Sequence, residues 1–399
     1  MAISPVPWSV PMGPRDTEEP HRAATPLELF FDLVFVVAIA SAAGSLHHGL
    51  AEGHLEAIVY FCLVFFAVWW AWVGYTWFTS AYDSGDVIFR VLSLVIMAGS
   101  LLLAAGVPDL FADGQSALVV AGYSVMRLAM VSLWLRAAHG HPEGRRTAMT
   151  YAIGIAAVQA LWLARLAIED GRTVLLSTFL LLALLEVAVP YVAERAGRTP
   201  YHPEHIAERY GLFTIIVLGE VVLAAVVAVQ GALGDEHGRD LVPLVVGGIL
   251  LVFSMWWMYF KRDHAPLFAA RRTVWRAAYA HAVGFATVAA TGAGLAVAVD
   301  VTTHHAHATE TVAVWSVAVP VGLYTVVLGV LHWLGDHDTR LALPAFVTAA
   351  AVLVVAALGL TLGLAIGVVV LLIGLVLALA VAQHVVASRS SEAAGLDDA

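Results

Sequence analysis

Cysteine is nearly absent from this 399-residue chain. Cys62 stands alone inside an apolar run, which excludes disulfides within one chain, cysteine-built zinc sites and thiol redox pairs, and leaves packing as its expected role. Lysine is as scarce, with Lys261 set against nineteen arginines. Together with richness in alanine, valine and glycine, this bias points to a GC-rich bacterial genome. Charge of either sign is thin: Asp, Glu, Lys and Arg make up 13% of the residues, where soluble domains carry about 25%. The first 22 residues lack a basic start followed by an apolar core and hold five prolines, so they read as a flexible tail and not as a cleaved signal peptide.

What is present is apolar sequence, 61% of the chain, and it is organised in long runs. A helix needs about 20 apolar residues to cross a hydrocarbon core of about 30 Å. Twelve segments qualify, at 27–46, 56–79, 87–106, 116–137, 147–167, 173–192, 207–230, 241–260, 274–299, 311–333, 341–361 and 363–385. The last two are separated by little more than Gly359 and Gly363, so a tight turn and a single kinked helix are both open. The expected fold is an all-α polytopic membrane protein of about twelve transmembrane helices, with a flexible tail at 1–24 and another at 386–399.

Cation placement tests that count. With the N-terminus inside, sixteen of the twenty arginines and lysines, Arg271 and Arg340 among them, fall at cytoplasmic loops or helix ends, and only Arg165, Arg172 and Arg239 fall on the other side. The outer loops are acidic or histidine-bearing, as in LGDEHGRD and VTTHHAHATE. This is the positive-inside asymmetry, and it places both termini in the cytoplasm.

The two halves also resemble each other. Glu28 matches Glu208, Trp69-Trp70 matches Trp256-Trp257, and Arg90 matches Arg276, at offsets of 180, 187 and 186 residues. Six spans separate the equivalents, which predicts two parallel six-helix repeats, 25–200 and 201–385, of the kind whose interfaces carry transport pathways.

The run LELFFDLVF from Leu27 to Phe35, together with HIAERYGLFTIIVLGE from His205 to Glu220, resembles the bacterial low temperature requirement protein A (LtrA) family. The resemblance implies a many-span bacterial membrane protein associated with growth in the cold. The family name supplies no molecular activity. The first helix is also similar to that of two-repeat potassium channels, with Phe31 where their motif has serine.

A charge at mid-bilayer costs about 2.5–3.5 kcal/mol on insertion scales, so such residues face protein or water. Thr25-Pro26-Leu27-Glu28 has the form of a capping box, and Asp32 lies one turn deeper on the same face. Arg90 and Arg127 are its candidate partners. His205, Glu208 and Arg209 cluster at the entrance of the seventh span, as a salt-bridge network or a working site. Glu220, about 18 Å beyond Glu208, is expected near the bilayer centre, at the interface of the halves, as a titrating group or an interhelical hydrogen bond. Arg127 and Glu186 could pair with each other. Arg276 opens the ninth span, and His281 within it is a proton relay or a packing residue. Trp69, Trp70, Trp72, Tyr75 and Trp77 suit an interfacial aromatic belt, with a cation-binding cage as the alternative. His304, His305 and His307 form either a metal-binding loop or a solvated one, and Asp83 and Asp86 have Asp-x-x-Asp spacing without a second acidic motif.

No zincin motif, nucleophile elbow or paired Asp-rich loop is present, and no cofactor or nucleic-acid partner is implied. The expected function is passage of a small ion or solute across the bacterial cell membrane, by a transporter or a channel, with or without proton linkage. The rival readings are an intramembrane enzyme acting on lipid and a non-catalytic partner or sensor.

Overall fold

The computed structural model describes residues 6–17, 19, 22–168, 171–234, 238–270, 272–336 and 339–396. Arg271, residues 235–237 of the acidic loop and the last three residues of the C-terminal tail lie outside this set, as do the side chains of Arg172, Arg239, Arg340 and Arg389. The described chain is helical: α1 (Pro26–Ala51), α2 (Ala57–Tyr82), α3 (Val87–Asp113), α4 (Ala117–Gly140), α5 (Arg145–Arg165), α6 (Arg172–Ala196), α7 (Pro203–Gly234), α8 (Gly238–Phe260), α9 (Ala265–Ala269), α10 (Val274–Thr302), α11 (Glu310–Asp336), α12 (Thr339–Thr361) and α13 (Ile366–Leu396). Twelve of them, all but α9, are long and apolar enough to cross a membrane. An uninterrupted apolar run can satisfy its backbone in lipid only as a helix.

Local signals set the boundaries. Thr25 and Glu28 form the reciprocal box that starts α1: the Thr25 N–H donates to Glu28 Oε2 at 2.9 Å, and the Glu28 N–H donates to Thr25 Oγ1 at 3.3 Å. Asp86 caps α3 by accepting from the Phe89 N–H at 2.8 Å, and Gly114 ends that helix in the left-handed region at φ 72°. Gly363, at φ 65°, turns the chain between α12 and α13, and the Leu364 N–H closes on the Gly359 carbonyl at 2.9 Å. The last apolar stretch is therefore two helices, not one kinked helix. α9 is one short turn that the apolar-run criterion misses, started by Pro266 and seated through buried Leu267 and Phe268.

The chain divides into two compact units, residues 1–42 with 62–209 and residues 43–61 with 210–399. The division falls at 209/210 inside α7, where sequence spacing sets it at 200/201. The α1–α2 turn belongs to the second unit for a visible reason: the Ala51 carbonyl accepts from the His307 and Ala308 N–H groups, and His47 meets Asp300 at 2.7 Å.

In the first unit, α1 sorts its residues by face. Glu28, Phe31, Asp32 and Phe35 are at most 1% exposed, whereas Phe30, Leu33 and Val37 are exposed. Both faces are apolar, but carboxylates occur only on the inward one, as a lipid-facing exterior requires. α3 and α4 approach so closely that a Cβ on Gly122 would meet the backbone of Gly99 and Leu103, a small-residue contact suited to helices packing without a hydrophobic driving force.

The N-terminal segment, expected as a flexible tail, is tied to helix ends of this unit. The Arg15 N–H donates to the Ala81 carbonyl at 2.9 Å. Arg22, buried, donates to the Thr79 carbonyl at 2.7 Å and to that of Ser80. These bonds satisfy carbonyls of the last turn of α2, which have no partner within the helix. At the other end, α13 continues as helix to Leu396, through most of the 386–399 stretch.

Candidate functional site

Two helices of the first unit bring four ionisable side chains together. Glu28 and Asp32 face inward from α1, and His205 and Arg209 from α7. Each pair has i, i+4 spacing on one helix face. All four are at most 1% exposed.

Asp32 is held by three donors. Arg209 donates from Nε to Oδ2 at 3.0 Å and from NH2 to Oδ1 at 2.6 Å, and the Trp72 indole N–H donates to Oδ1 at 2.7 Å. A two-pronged guanidinium–carboxylate pair is among the strongest hydrogen-bonded ion pairs a protein makes. Glu28 is held less completely. Its Oε2 serves the helix cap, and its Oε1 lies 3.0 Å from Arg209 NH1, yet the two are misaligned and neither makes a hydrogen bond. His205 Nε2 stands 3.3 Å and 3.4 Å from the two Glu28 oxygens, beyond the usual range, and its Nδ1 is buried without a partner. The site thus has one tight half, Asp32 with Arg209, and one loose half, Glu28 with His205.

The first unit also supplies the surroundings. The Phe31 ring stacks on Tyr75 with centroids 3.8 Å apart, and the Tyr75 hydroxyl donates to Ser93 at 2.7 Å. His202 starts α7 by accepting from the His205 N–H at 3.3 Å, while its Nε2 meets the Glu19 carbonyl at 3.0 Å. Beside the site, burial and then the field of Glu28 raise the Asp83 carboxyl above its ordinary value. Burial would do the same to Asp86, but hydrogen bonds from Arg136, Phe89 and Val10 outweigh it and hold that carboxyl low. The two aspartates therefore act separately. Asp83 accepts from the Gly85 N–H at 2.9 Å, and Asp86 accepts from Arg136 at 2.6 Å and from the Val10 N–H at 2.9 Å.

Several residues singled out from sequence lie elsewhere. Neither Arg90 nor Arg127 partners Asp32. Arg90 is exposed and bonds the Gly85 carbonyl, because the start of α3 points it away. Arg127 pairs with Glu186 at 2.5 Å, the alternative that spacing allowed. Tyr123 and Trp70 complete that second network, donating to Glu186 at 2.9 Å and 3.0 Å. Trp69, Trp70, Trp72 and Tyr75 are buried, so these aromatics line the interior and do not form an interfacial belt. Trp256 and Trp257, their proposed equivalents, are about half exposed, at 45% and 48%. Glu208 is exposed and accepts from the Ala24 N–H at 3.2 Å, one helical step away from the face that His205 and Arg209 share.

The remaining candidates belong to the second unit. Glu220 is half-buried on α7 and makes no hydrogen bond or ion pair among the described residues. A Cβ on neighbouring Gly219 would meet nothing within 4 Å. Arg276 is exposed. His281 is buried, with Nδ1 2.7 Å from the Ala277 carbonyl and its ring among Tyr210, Tyr259, His264 and Phe285. His305 meets Thr303 and His307 meets Glu52, and no group of three metal-ligating side chains occurs among the described residues.

Trp72 as the third donor to Asp32 was missed by sequence reading, since its place in an aromatic run suited a membrane belt as well. The signal for Arg209 was available: two i, i+4 polar pairs, carboxylate with carboxylate and base with base, at the start of two apolar helices.

The chain is 29% identical over 254 residues to an uncharacterized protein of Rhizobium meliloti (strain 1021), a match covering 62% of this chain and 60% of that protein. The matched stretch spans less than two thirds of that relative's length. No solved structure matches the chain. Residues 23–386 match the family model described as bacterial low temperature requirement A protein (LtrA), which covers the membrane-spanning stretch of all twelve long helices and the whole Glu28–Asp32–His205–Arg209 cluster. The chain is therefore a member of the LtrA family, a multi-pass membrane protein of bacterial type.

Proposed function

We propose that the protein is a proton-linked transporter of a small ion or solute, not an enzyme, and that Glu28, Asp32, His205 and Arg209 form its ion-handling site. The observation that supports this reading is a charge imbalance buried at membrane-helix positions. Two carboxylates face one guanidinium, so the set carries −1 when all three are ionised and His205 is neutral, and 0 when His205 is protonated. Isolated charge in a low-dielectric interior is costly, and a proton arriving at the loose half, on His205 or Glu28, would remove the excess. Arg22, Asp83 and Tyr75 are further ionisable groups within the field of the cluster.

The proposal extends to architecture. Two parallel six-helix repeats, with both termini cytoplasmic in the bacterial cell membrane, would put the cluster near the cytoplasmic ends of α1 and α7. In this scheme Glu220, further along α7, is a separate titrating group, for which its half-burial without a partner among the described residues is the support.

The test is ion flux in liposomes carrying the purified protein, read with a pH-sensitive dye under imposed proton, sodium, potassium or chloride gradients. Protein-dependent proton movement that falls in Glu28→Gln is the expected result. Liposomes no more permeable than protein-free ones under every gradient would overturn the proposal. A change of lipid composition in the same vesicles would favour the enzyme class.

A further inference from the structure

The N-terminal segment of the first unit leaves one large side chain uncovered. Trp8 is 73% exposed, more than any other large apolar residue among those described. Its ring makes no aromatic contact, and its indole N–H no hydrogen bond, among the described residues. Looseness of the chain does not account for this exposure. The Val87 and Ile88 N–H groups donate to the carbonyls of Pro7 and Trp8, at 3.1 Å and more loosely at 3.4 Å, and the Val10 N–H donates to Asp86 Oδ2 at 2.9 Å. Val87 and Ile88 open α3, where N–H groups have no acceptor within the helix, so the segment caps α3 with its own carbonyls. Beyond Trp8, Met12 is buried, and Gly140 at the end of α4 comes so near that a Cβ there would meet the Met12 backbone. The backbone at Trp8 is thus held on both sides while its indole stays outside the fold.

The depth of that position follows from α3. Its span is Val87–Asp113, so a residue bonded to Ile88 lies at the level where a spanning helix begins. Val91, Val95 and Ala98 follow Ile88 along one helix face, and all three are exposed. On a spanning helix such an apolar face meets acyl chains, and Trp8 is docked at its first turn. An indole has an apolar body and a polar N–H, so tryptophan concentrates where acyl chains give way to headgroups. Deeper in the acyl core its N–H would lack an acceptor, and in bulk water its ring would stay hydrated. We propose that Trp8 anchors the N-terminal segment to the bilayer surface beside α3, with its ring at the headgroup–acyl boundary and its N–H donating to ester or phosphate oxygens of bilayer lipid. Continuity with the lipid-facing side of α3 favours the bilayer over a second copy of the chain as the partner.

The experiment uses the full chain in vesicles of phosphatidylethanolamine and phosphatidylglycerol. A nitroxide is attached at Trp8→Cys in the Cys62→Ser background, and power-saturation EPR compares its collisions with oxygen, which concentrates in lipid, and with a nickel chelate, which stays in water. The oxygen-to-nickel ratio at position 8 should lie below that at Val95→Cys on the α3 face and well above that at Glu143→Cys, in the exposed turn between α4 and α5. The native indole is read by difference. The emission lost in Trp8→Phe should be quenched by phospholipid brominated close to the ester and spared by aqueous iodide. A ratio equal to that at Glu143→Cys, or difference emission quenched by iodide as freely as indole in water, would overturn the proposal. Short-range dipolar coupling between labels at position 8 would also overturn it, by making the site a contact between copies. No flux is measured, so the result stands independently of the transport reading.

Discussion

Asp32 keeps its place inside a membrane helix because three donors reach its two oxygens, and removing the carboxylate strips Arg209 of its two-pronged partner, leaving it only the misaligned Glu28 Oε1 at 3.0 Å. Breaking a buried pair from one side costs about 3–5 kcal/mol. Asp32→Asn should therefore lower thermal stability strongly, and the triple variant that adds Arg209→Met and Glu28→Gln, leaving no unpaired buried charge, should recover much of the loss, as measured by thermal unfolding in detergent. Glu28→Gln should cost only about 1 kcal/mol, since an amide still serves the helix cap, while proton flux falls. Equal stability loss for Asp32→Asn and Glu28→Gln would remove the distinction between the tight and loose halves. Glu220 makes the opposite prediction. With no partner among the described residues, Glu220→Gln should leave the unfolding temperature near that of wild type and reduce flux. A large drop in stability would make it a structural residue.

At the scale of elements, the twelve long helices were legible because lipid imposes one rule, an apolar run of sufficient length, and glycine and capping residues punctuate the runs. The alignment of one helix against another was less legible. An apolar helix in a membrane protein is apolar all round, so periodicity could not tell the buried Trp69 and Trp72 from a lipid-facing belt, nor show that α7 and not α3 or α4 supplies the partner of Asp32. The N-terminal segment was misjudged for a related reason. Its anchors are individual bonds to helix ends, such as Val10 to Asp86 and Arg22 to Thr79, which leave no compositional trace. Asp86 joins this segment, α3 and α4, and its folded carboxyl is held below its ordinary value, once burial is outweighed by its hydrogen bonds. A depressed carboxyl contributes stability that is fully present above the unfolded pKa of about 3.9 and is lost as pH falls through the folded value. Asp86→Asn should lower stability by about 1–3 kcal/mol at neutral pH. The gap to wild type should close under acid, below about pH 4. A gap that stays constant down to pH 3 would show that the carboxylate charge plays no part.

For the whole molecule, the positive-inside distribution predicts an even number of crossings with both ends in the cytoplasm. Replacing Cys62 with serine gives a background in which single cysteines report sidedness. A cysteine within 304–307 should react with an impermeant maleimide from outside in intact cells, and one within 197–200 only after the membrane is opened. The reverse pattern would invert the orientation and place the cluster at the outer face.

The central claim, that the Glu28–His205 half of the cluster takes up and releases the transported proton, is tested most directly by the pH profile of flux in His205→Gln proteoliposomes. The wild type should show proton flux that varies across pH 5 to 8, the range in which an ordinary histidine titrates, and His205→Gln should be folded, with flux either lost or flat across that range. A His205→Gln protein whose flux follows the wild-type pH profile would contradict the account.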